Sequence, residues 1–387
     1  MNPGLYIHVP FCLRKCPYCD FYSESSLAQK KAYLEGVVRE MDLVAKDLCV
    51  EAPFDTVYFG GGTPSLLKPS EVARLLEAAR TRFSFGEDVE VTLEVNPGTV
   101  TPTTLAGFKV AGVTRLNIGV QSLDDGTLSF LGRLHSAGDA TAALEAAREC
   151  GFSNIGADLI YGVPGQDLAA VRADVAALLS HAPEHLSCYM LTLESGTPLY
   201  ARHGNRDFSM PGDTEQGAFF GAVSDTLTEN GYLHYEVSNF ARGAGFVSRH
   251  NTKYWEMATT VGIGPSAHGF YTGGGAREHP VRRWNVAHLG TWLEHLARGE
   301  RPVEGEEALD REAMMTEALY LGLRRMEGVD LGALSRRFSQ DLGWVLSPVV
   351  KGFVDEGLMV ADREAVRLTR RGFAVADGIV LRLLQAL

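Results

Sequence analysis

Three cysteines lie within eight residues near the start of the sequence, at Cys12, Cys16 and Cys19. Three thiolates on one short loop can each bind a different iron of a [4Fe-4S] cubane, which leaves the fourth iron without a protein ligand. A zinc site would need a fourth nearby ligand, for which His8 is a candidate although it falls within a predicted strand. Buried structural thiols are the third alternative. The spacing favours the iron–sulfur cluster with one open iron.

A second group of residues could bind a small polar ligand. The segment Gly60-Gly61-Gly62-Thr63-Pro64 can bring backbone N–H groups close to a ligand. Glu94 and Asp158 can accept hydrogen bonds from hydroxyl or ammonium groups. Gln121 can donate and accept, and Arg133 can pair with a carboxylate through two hydrogen bonds. Taken singly, each residue is also compatible with a tight turn, a surface ion pair or a helix cap.

The pattern of hydrophobic residues predicts how these groups are positioned. Short β-rich runs fall at residues 5–8, 56–59, 89–94, 115–119, 154–161 and 185–191. Helical periodicity falls between them, at residues 34–48, 70–82, 103–111, 139–150 and 168–180. Six successive βα units predict an α/β fold with a partial (β/α)6 barrel. Because chemistry gathers at the carboxyl ends of such strands, we expect the second group to converge there.

The sequence divides into three expected regions. Residues 1–200 form the barrel core with the cluster and the ligand-binding residues. Residues 201–305 are rich in glycine, aromatic and polar residues and are expected to close one side of the barrel. Residues 306–387 show three helical patterns followed by two short runs around a turn, which predicts a small winged-helix-like α+β domain.

Composition restricts the class of protein. The chain has 387 residues, is 45% hydrophobic and carries a formal net charge of -12. This charge opposes general binding to nucleic acid or anionic membranes, so a DNA-binding role for the winged-helix-like region is the weakest alternative. The opening residues lack the basic start and apolar core of a signal peptide, and no stretch is apolar enough to span a membrane. We therefore expect a cytoplasmic protein with free thiols.

The stretch YIHVPFCLRKCPYCDFYS resembles the radical S-adenosylmethionine (SAM) superfamily, in the branch of the oxygen-independent coproporphyrinogen III oxidases and the HemW-type heme chaperones. The resemblance covers nearly the whole chain. It implies that SAM binds the open iron and that an electron from the cluster cleaves SAM to methionine and a 5′-deoxyadenosyl radical. It also implies a set of SAM contacts. These are Tyr6, Gly61, Gly62, Thr63, Glu94, Gln121, Arg133 and Asp158.

Two departures from the oxidases and one matching motif favour the chaperones within this branch. The resemblance implies that the oxidases carry an extended N-terminal segment that helps to build their substrate site, whereas this sequence starts a few residues before its first predicted strand. The oxidases carry a further cysteine two positions after the third ligand, where this sequence has Phe21. The segment His250-Asn251-Thr252-Lys253-Tyr254-Trp255 matches the HNxxYW motif that the resemblance associates with heme binding, through His250, Asn251, Tyr254 and Trp255. Imidazole can ligate heme iron, and the aromatic rings offer flat apolar surfaces to a porphyrin. A histidine beside aromatic residues is otherwise commonly a packing residue.

The resemblance therefore predicts a radical SAM heme chaperone that binds heme, a [4Fe-4S] cluster and SAM, and that transfers heme to an acceptor protein. It implies an electron-donor protein and transient contact with membrane heme proteins as further partners. Whether SAM is cleaved is left open. The alternative is an oxygen-independent coproporphyrinogen III dehydrogenase, which removes hydrogen from propionate side chains during heme biosynthesis.

Overall fold

The computed structural model describes residues 1–48, 50, 52–272, 279–362 and 365–387. Its first half alternates strands and helices. The strands are β1 (Gly4–Val9), β2 (Phe54–Gly61), β3 (Phe85–Val95), β4 (Arg115–Gln121), β5 (Ile155–Tyr161) and β6 (His185–Met190). The helices are α1 (Lys30–Asp47), α2 (Pro69–Arg80), α3 (Pro102–Val110), α4 (Asp125–Phe130), α5 (Ala137–Glu149) and α6 (Leu168–Leu179).

The six strands are parallel and lie side by side in chain order. Each successive pair is joined by one or more helices, so the carboxyl ends of all six strands meet at one end of the sheet. This arrangement confirms the predicted partial (β/α)6 fold.

The two faces of these strands differ in chemistry because successive side chains point to opposite sides. One face carries apolar residues that pack in the main core with the helices, such as Val57, Phe59 and Leu93. The other face carries polar residues that contact one another. Among the latter, the Tyr58 hydroxyl donates to Glu94 Oε1 at 2.8 Å. The interior of the barrel is therefore a polar lumen, while the apolar core lies outside it.

Residues after β6 extend the sheet at both edges. The elements are α7 (Pro198–Gly204), α8 (Asp213–Glu229), β7 (Leu233–His234), β8 (Asn239–Ala241), α9 (Arg249–Trp255), β9 (Thr260–Ile263), β10 (His268–Tyr271), β11 (Val281–Asn285), α10 (Leu289–Ala297) and β12 (Val303–Ala308). Strand β8 is antiparallel to β6, and β9 is parallel to β1. The region expected to close one side of the barrel thus contributes strands to both edges of the sheet.

The carboxylate of Glu40 joins α1 to the far edge of the sheet. Glu40 is buried and accepts hydrogen bonds from the backbone N–H of Gly264 at 2.8 Å, from Asn285 Nδ2 at 2.6 Å and from Trp292 Nε1 at 3.0 Å. Burial raises the pKa of Glu40 to about 7, although the three donors act in the opposite direction. One side chain therefore holds three separate segments in place.

The last part of the chain forms a small α+β unit with a hydrophobic core of its own. Its elements are α11 (Arg311–Gly322), β13 (Val329–Asp330), α12 (Leu331–Phe338), α13 (Leu342–Asp355), β14 (Met359–Asp362), β15 (Ala365–Leu368), α14 (Arg370–Phe373) and α15 (Ala376–Leu384). Strands β13, β15 and β14 form a three-stranded antiparallel sheet. Helices α12 and α13 followed by the β14–β15 hairpin, with β13 completing the sheet, confirm the predicted winged-helix-like unit. Within the described ranges, no helix is long and apolar enough to cross a membrane.

Candidate functional site

The three cysteines lie on the loop that follows the carboxyl end of β1. The loop is fixed by its own backbone: the Cys12 N–H donates to the Glu24 carbonyl at 2.9 Å, and the Cys19 N–H donates to the Cys16 carbonyl at 3.1 Å. All three thiols are half-buried. The sulfurs are therefore held at the strand ends and remain within reach of a ligand.

Two polar side chains contact the cysteine sulfurs. The Thr63 hydroxyl donates to Cys12 Sγ at 3.4 Å, and Arg133 Nη1 donates to Cys16 Sγ at 3.6 Å. Arg133 also donates to the Tyr18 hydroxyl at 3.4 Å and to the Gly119 carbonyl at 3.2 Å. Its buried Nε makes no hydrogen bond among the contacts the structure describes. Arg133 thus keeps an unused donor beside the cysteine loop.

The cysteine loop fits a cluster whose irons are bound separately. Burial raises the pKa of the Cys19 thiol, and the neighbouring Cys16 and Cys12 raise it further, so the sulfurs lie close enough to repel one another as thiolates. No three His, Cys, Asp or Glu side chains in the described part of the chain are placed to hold a single metal ion. A cubane does not require such convergence, because each cysteine binds a different iron.

Gly62 allows the glycine-rich segment to approach this loop. A Cβ atom at this position would lie 2.7 Å from the Phe11 carbonyl oxygen and 3.1 Å from Cys12 Sγ. The first distance is too short for any Cβ because the neighbour is a backbone atom, and the second is tight, so glycine favours the close approach. A small cavity lined by Cys16, Thr63, Asn96 and Arg133, among others, marks where the loop, the glycine-rich segment and the later strand ends meet.

Glu94 connects the glycine-rich segment to the lumen. Its Oε2 accepts from the Gly61 N–H at 3.1 Å, while Oε1 accepts from the Tyr58 hydroxyl at 2.8 Å. Burial raises the pKa of Glu94 to about 7, and the nearby Asp158 carboxylate adds to the increase. Asp158 in turn accepts from Asn117 Nδ2, at 2.9 Å and 2.8 Å for its two oxygens. The two predicted carboxylates therefore share one polar region.

Gln121 and Arg133 meet above Gly119. A Cβ atom on Gly119 would lie 2.9 Å from Gln121 Nε2 and 3.5 Å from Arg133 Nη2. Gln121 itself has a φ of 66°, in the left-handed region that is strained for a residue with a side chain. This conformation turns Gln121 away from the regular strand path at the end of β4. The structure thus brings the predicted SAM residues of four strands into one area.

His250 occupies the opposite end of the lumen. It lies on α9, and its Nδ1 is hydrogen-bonded to the hydroxyl of Thr56, near the start of β2, at 2.8 Å. Its Nε2 is 3.1 Å from the Tyr254 hydroxyl. The imidazole stacks on the Tyr58 ring, with centroids 5.1 Å apart and planes at 29°. Burial lowers the pKa of His250 to about 3, and the Lys253 ammonium adds to the effect, so the ring is neutral at pH 7.

Tyr6 and Tyr58 lie between the two ends of the lumen. The Tyr6 ring stacks on Tyr58 at 6.1 Å and on His250 at 6.4 Å, and the Tyr6 hydroxyl is 3.1 Å from His8 Nδ1. Tyr58 contacts Glu94 through its hydroxyl and His250 through its ring. These aromatic residues therefore connect the predicted SAM residues to the predicted heme residue.

The other residues of the HNxxYW segment have different surroundings. Tyr254 is 43% exposed as a whole, but its hydroxyl is buried beside His250 Nε2. Asn251 and Trp255 are half-buried, and the described contacts connect neither side chain to His250. Lys253 is 1% exposed, and its Nζ lies 2.6 Å from Asp55 Oδ1 and donates to the Asn2 carbonyl at 2.7 Å. This buried ion pair fixes α9 to the amino ends of β1 and β2.

Sequence reasoning did not identify Thr56, Tyr58, Asn117 or Lys253. A signal for Thr56 and Tyr58 is present in the alternation of Thr56-Val57-Tyr58-Phe59, since a strand packed against apolar layers on both faces would lack these polar positions. No comparable local signal marks Lys253, whose partners lie about 200 and 250 residues earlier in the chain.

Known families match both parts of the chain. Residues 6–178 match the radical SAM superfamily, and residues 309–375 match the HemN C-terminal domain. The heme chaperone HemW of Mycobacterium tuberculosis is 37% identical over 386 residues, covering 98% of this chain and 94% of that protein. HemW of Bacillus subtilis is 32% identical over 370 residues, covering 95% of each chain.

Similarity extends to a mitochondrial protein and to a solved structure. The radical S-adenosyl methionine domain-containing protein 1 of Mus musculus is 35% identical over 395 residues, covering 99% of this chain and 88% of that protein. Coproporphyrinogen III oxidase (HemN) of Escherichia coli superposes with a TM-score of 0.83 at 21% identity, over 100% of this chain and 91% of that chain, and shows the shared fold. Because these HemW proteins are 32% to 37% identical to this chain over nearly its full length, the chain belongs to the HemW family of the radical SAM superfamily.

Proposed function

We propose that the chain is a heme chaperone that holds heme in the barrel lumen through His250 and passes it to an acceptor protein. The observation that carries this proposal is the pair of partners that the two ring nitrogens of His250 have. Its Nδ1 is fixed by Thr56, and its Nε2 lies 3.1 Å from the buried hydroxyl of Tyr254. Metal-binding histidines commonly have one ring nitrogen held by a protein partner and the other directed to the metal.

The protonation state of His250 agrees with this role. A neutral imidazole has one N–H, and donation of that N–H from Nδ1 to the Thr56 hydroxyl leaves the lone pair on Nε2. Heme iron accepts such a nitrogen as an axial ligand. Rotation of the Tyr254 side chain away from Nε2 then opens the lone pair to the lumen. Tyr254, Trp255 and Asn251 complete the proposed heme-binding residues.

We further propose that Cys12, Cys16 and Cys19 hold a [4Fe-4S] cluster, and that SAM binds beside it. The proposed SAM contacts are Tyr6, Gly61, Gly62, the backbone of Thr63, Glu94, Gln121, Arg133 and Asp158. Support comes from the unused Nε of Arg133, which suits the carboxylate of SAM, and from the closely placed acceptors Glu94 and Asp158. With both groups held by these residues, the cluster and SAM would support or gate heme transfer. The protein is proposed to act in the cytoplasm with an electron-donor protein and without nucleic acid.

A heme titration of the anaerobically reconstituted protein tests the heme site. The wild-type protein should develop a Soret band at a stoichiometry of one heme, and His250→Ala should weaken heme binding at least tenfold. His268→Ala is the matched control, because His268 is exposed and lies on β10 outside the HNxxYW segment. An unchanged titration in His250→Ala, or an equal loss in His268→Ala, would exclude His250 as the ligand.

The cluster has a separate test. Labile sulfide and iron should be present in the wild-type protein and absent when Cys12, Cys16 and Cys19 are replaced by alanine. Cys150→Ala is the control, since this half-buried thiol donates to the Pro102 carbonyl outside the cysteine loop.

Incubation with coproporphyrinogen, SAM and a reductant tests the alternative enzyme. Formation of protoporphyrinogen would assign the oxidase reaction to this protein instead of the chaperone function.

A further inference from the structure

Thr63 is placed between the glycine-rich segment and the cysteine loop, and it is 6% exposed. It occupies the position that precedes the single helical turn Pro64–Leu66, where a threonine hydroxyl ordinarily accepts a backbone N–H. Within the described part of the chain, the Thr63 side chain makes no such bond. Its hydroxyl instead donates to Cys12 Sγ at 3.4 Å.

The sequence-based expectation assigned Thr63 to SAM. We infer that its hydroxyl serves the cluster, by donating an O–H···S hydrogen bond to Cys12 that raises the reduction potential. This inference rests on the proposed cluster and leaves the backbone of Thr63 available to SAM. Hydrogen bonds to ligand sulfurs are among the factors that set the potentials of iron–sulfur clusters.

The direction of the effect follows from charge. Reduction adds one electron, and part of the added negative charge resides on the cysteine sulfurs. A donated hydrogen bond is stronger to a more negative acceptor, so it stabilises the reduced state more than the oxidised state. The bond lies in a half-buried region, where screening by water is weaker than at the surface.

Arg133 also donates to a sulfur, but it cannot test the idea cleanly. Its Nη1 contacts Cys16 while its Nε is proposed to face SAM, so replacing Arg133 alters the cluster and the SAM site together. Among the described contacts, the Thr63 hydroxyl makes one hydrogen bond, to Cys12 Sγ. Thr63→Val removes that hydroxyl and preserves the branched shape, and Thr63→Ser retains the hydroxyl.

The experiment is an anaerobic potentiometric titration of the reconstituted protein without SAM, followed by electron paramagnetic resonance. Thr63→Val should decrease the equilibrium constant for one-electron reduction about fivefold to tenfold, which is a shift of roughly 40 to 59 mV to more negative potential. Thr63→Ser should remain near the wild-type potential. Ser65→Ala is the matched control, because Ser65 lies on the same turn but bonds to Thr99 at 2.7 Å instead of a sulfur.

Measurements of SAM affinity and cluster content show whether the Thr63 hydroxyl acts on the cluster or on SAM. Thr63→Val should bind SAM within twofold of the wild-type affinity and contain the same amount of labile sulfide. An unchanged potential, or a tenfold loss of SAM affinity without a change in potential, would overturn the assignment of the hydroxyl to the cluster. Absence of any cluster in the wild-type protein would instead refute the proposed function on which the inference rests.

Discussion

Replacement of Thr56 by valine tests the arrangement of His250 without altering the histidine. Thr56 is fully buried, and its hydroxyl forms the 2.8 Å hydrogen bond to His250 Nδ1. Valine has nearly the same shape but cannot form this bond, so the imidazole loses the partner that fixes its orientation. Loss of such a partner typically decreases metal affinity 10- to 100-fold. We therefore expect heme binding to weaken by about 1.4 to 2.8 kcal/mol.

The measurement is a heme titration followed by the Soret band, combined with urea unfolding of each apoprotein. Thr56→Val also leaves Nδ1 buried without a partner, which should decrease the free energy of unfolding by about 1 to 3 kcal/mol. Heme affinity should therefore be compared only under conditions in which both proteins are folded. Circular dichroism before each titration establishes this.

Thr92→Val is the matched control for this substitution. Thr92 is also fully buried, lies on the adjacent strand β3, and its hydroxyl makes no hydrogen bond among the described contacts. Its replacement removes the same atom without removing a bond, so heme affinity should be unchanged and stability should be equal or higher. If folded Thr56→Val bound heme as tightly as the wild type, the proposed orientation of His250 by Nδ1 would be wrong.

Three further predictions concern Tyr254, Lys253 and Glu40. Tyr254→Phe frees His250 Nε2, so the heme association rate measured by stopped flow should increase roughly twofold to tenfold, and a decrease would contradict the proposed opening. Lys253→Met removes the buried partner of Asp55, which keeps Arg249 Nη2 at 3.4 Å. The free energy of unfolding measured with urea should therefore decrease by about 1 to 3 kcal/mol, whereas replacement of the exposed Lys31 by methionine should have little effect. The raised pKa of Glu40, about 7 instead of 4.5, means that the native state binds an extra proton between these pH values. The free energy of unfolding of the wild type should therefore fall by about 3 kcal/mol relative to that of Glu40→Gln as pH rises from 4.5 to 7. If the unfolding free energies of the two proteins changed equally with pH, the raised pKa of Glu40 would be refuted.

Local sequence patterns were sufficient to predict the barrel and the cysteine loop. The six strands were predicted within a few residues because alternating strands and amphipathic helices leave strong periodic signals. For example, the strand predicted at residues 154–161 is Ile155–Tyr161 in the structure. The six-residue helix α4 was not predicted, because it is short and carries little apolar periodicity. Its start depends on Asp124, which accepts the Thr127 N–H at 2.7 Å.

The position of His250 could not be predicted from local patterns. Its contact with Thr56 joins residues 194 positions apart, and no sequence periodicity reports which end of a barrel a later helix will reach. The same applies to the contact of Thr63 with Cys12, which depends on how closely Gly62 lets two loops approach. Residue types indicated the chemistry, while tertiary packing determined which atom each side chain contacts.

The position of β1 between β2 and β9 has a consequence for synthesis of the protein. Gly4 pairs with Thr56 on one side and with Thr260 on the other, so one edge of the first strand has no partner until the ribosome has made about 200 further residues. At 5 to 20 residues per second, this interval lasts roughly 10 to 40 s. An open apolar strand edge favours aggregation during that time. Slower translation or scarce chaperones should therefore decrease the yield of soluble protein before any cofactor is inserted.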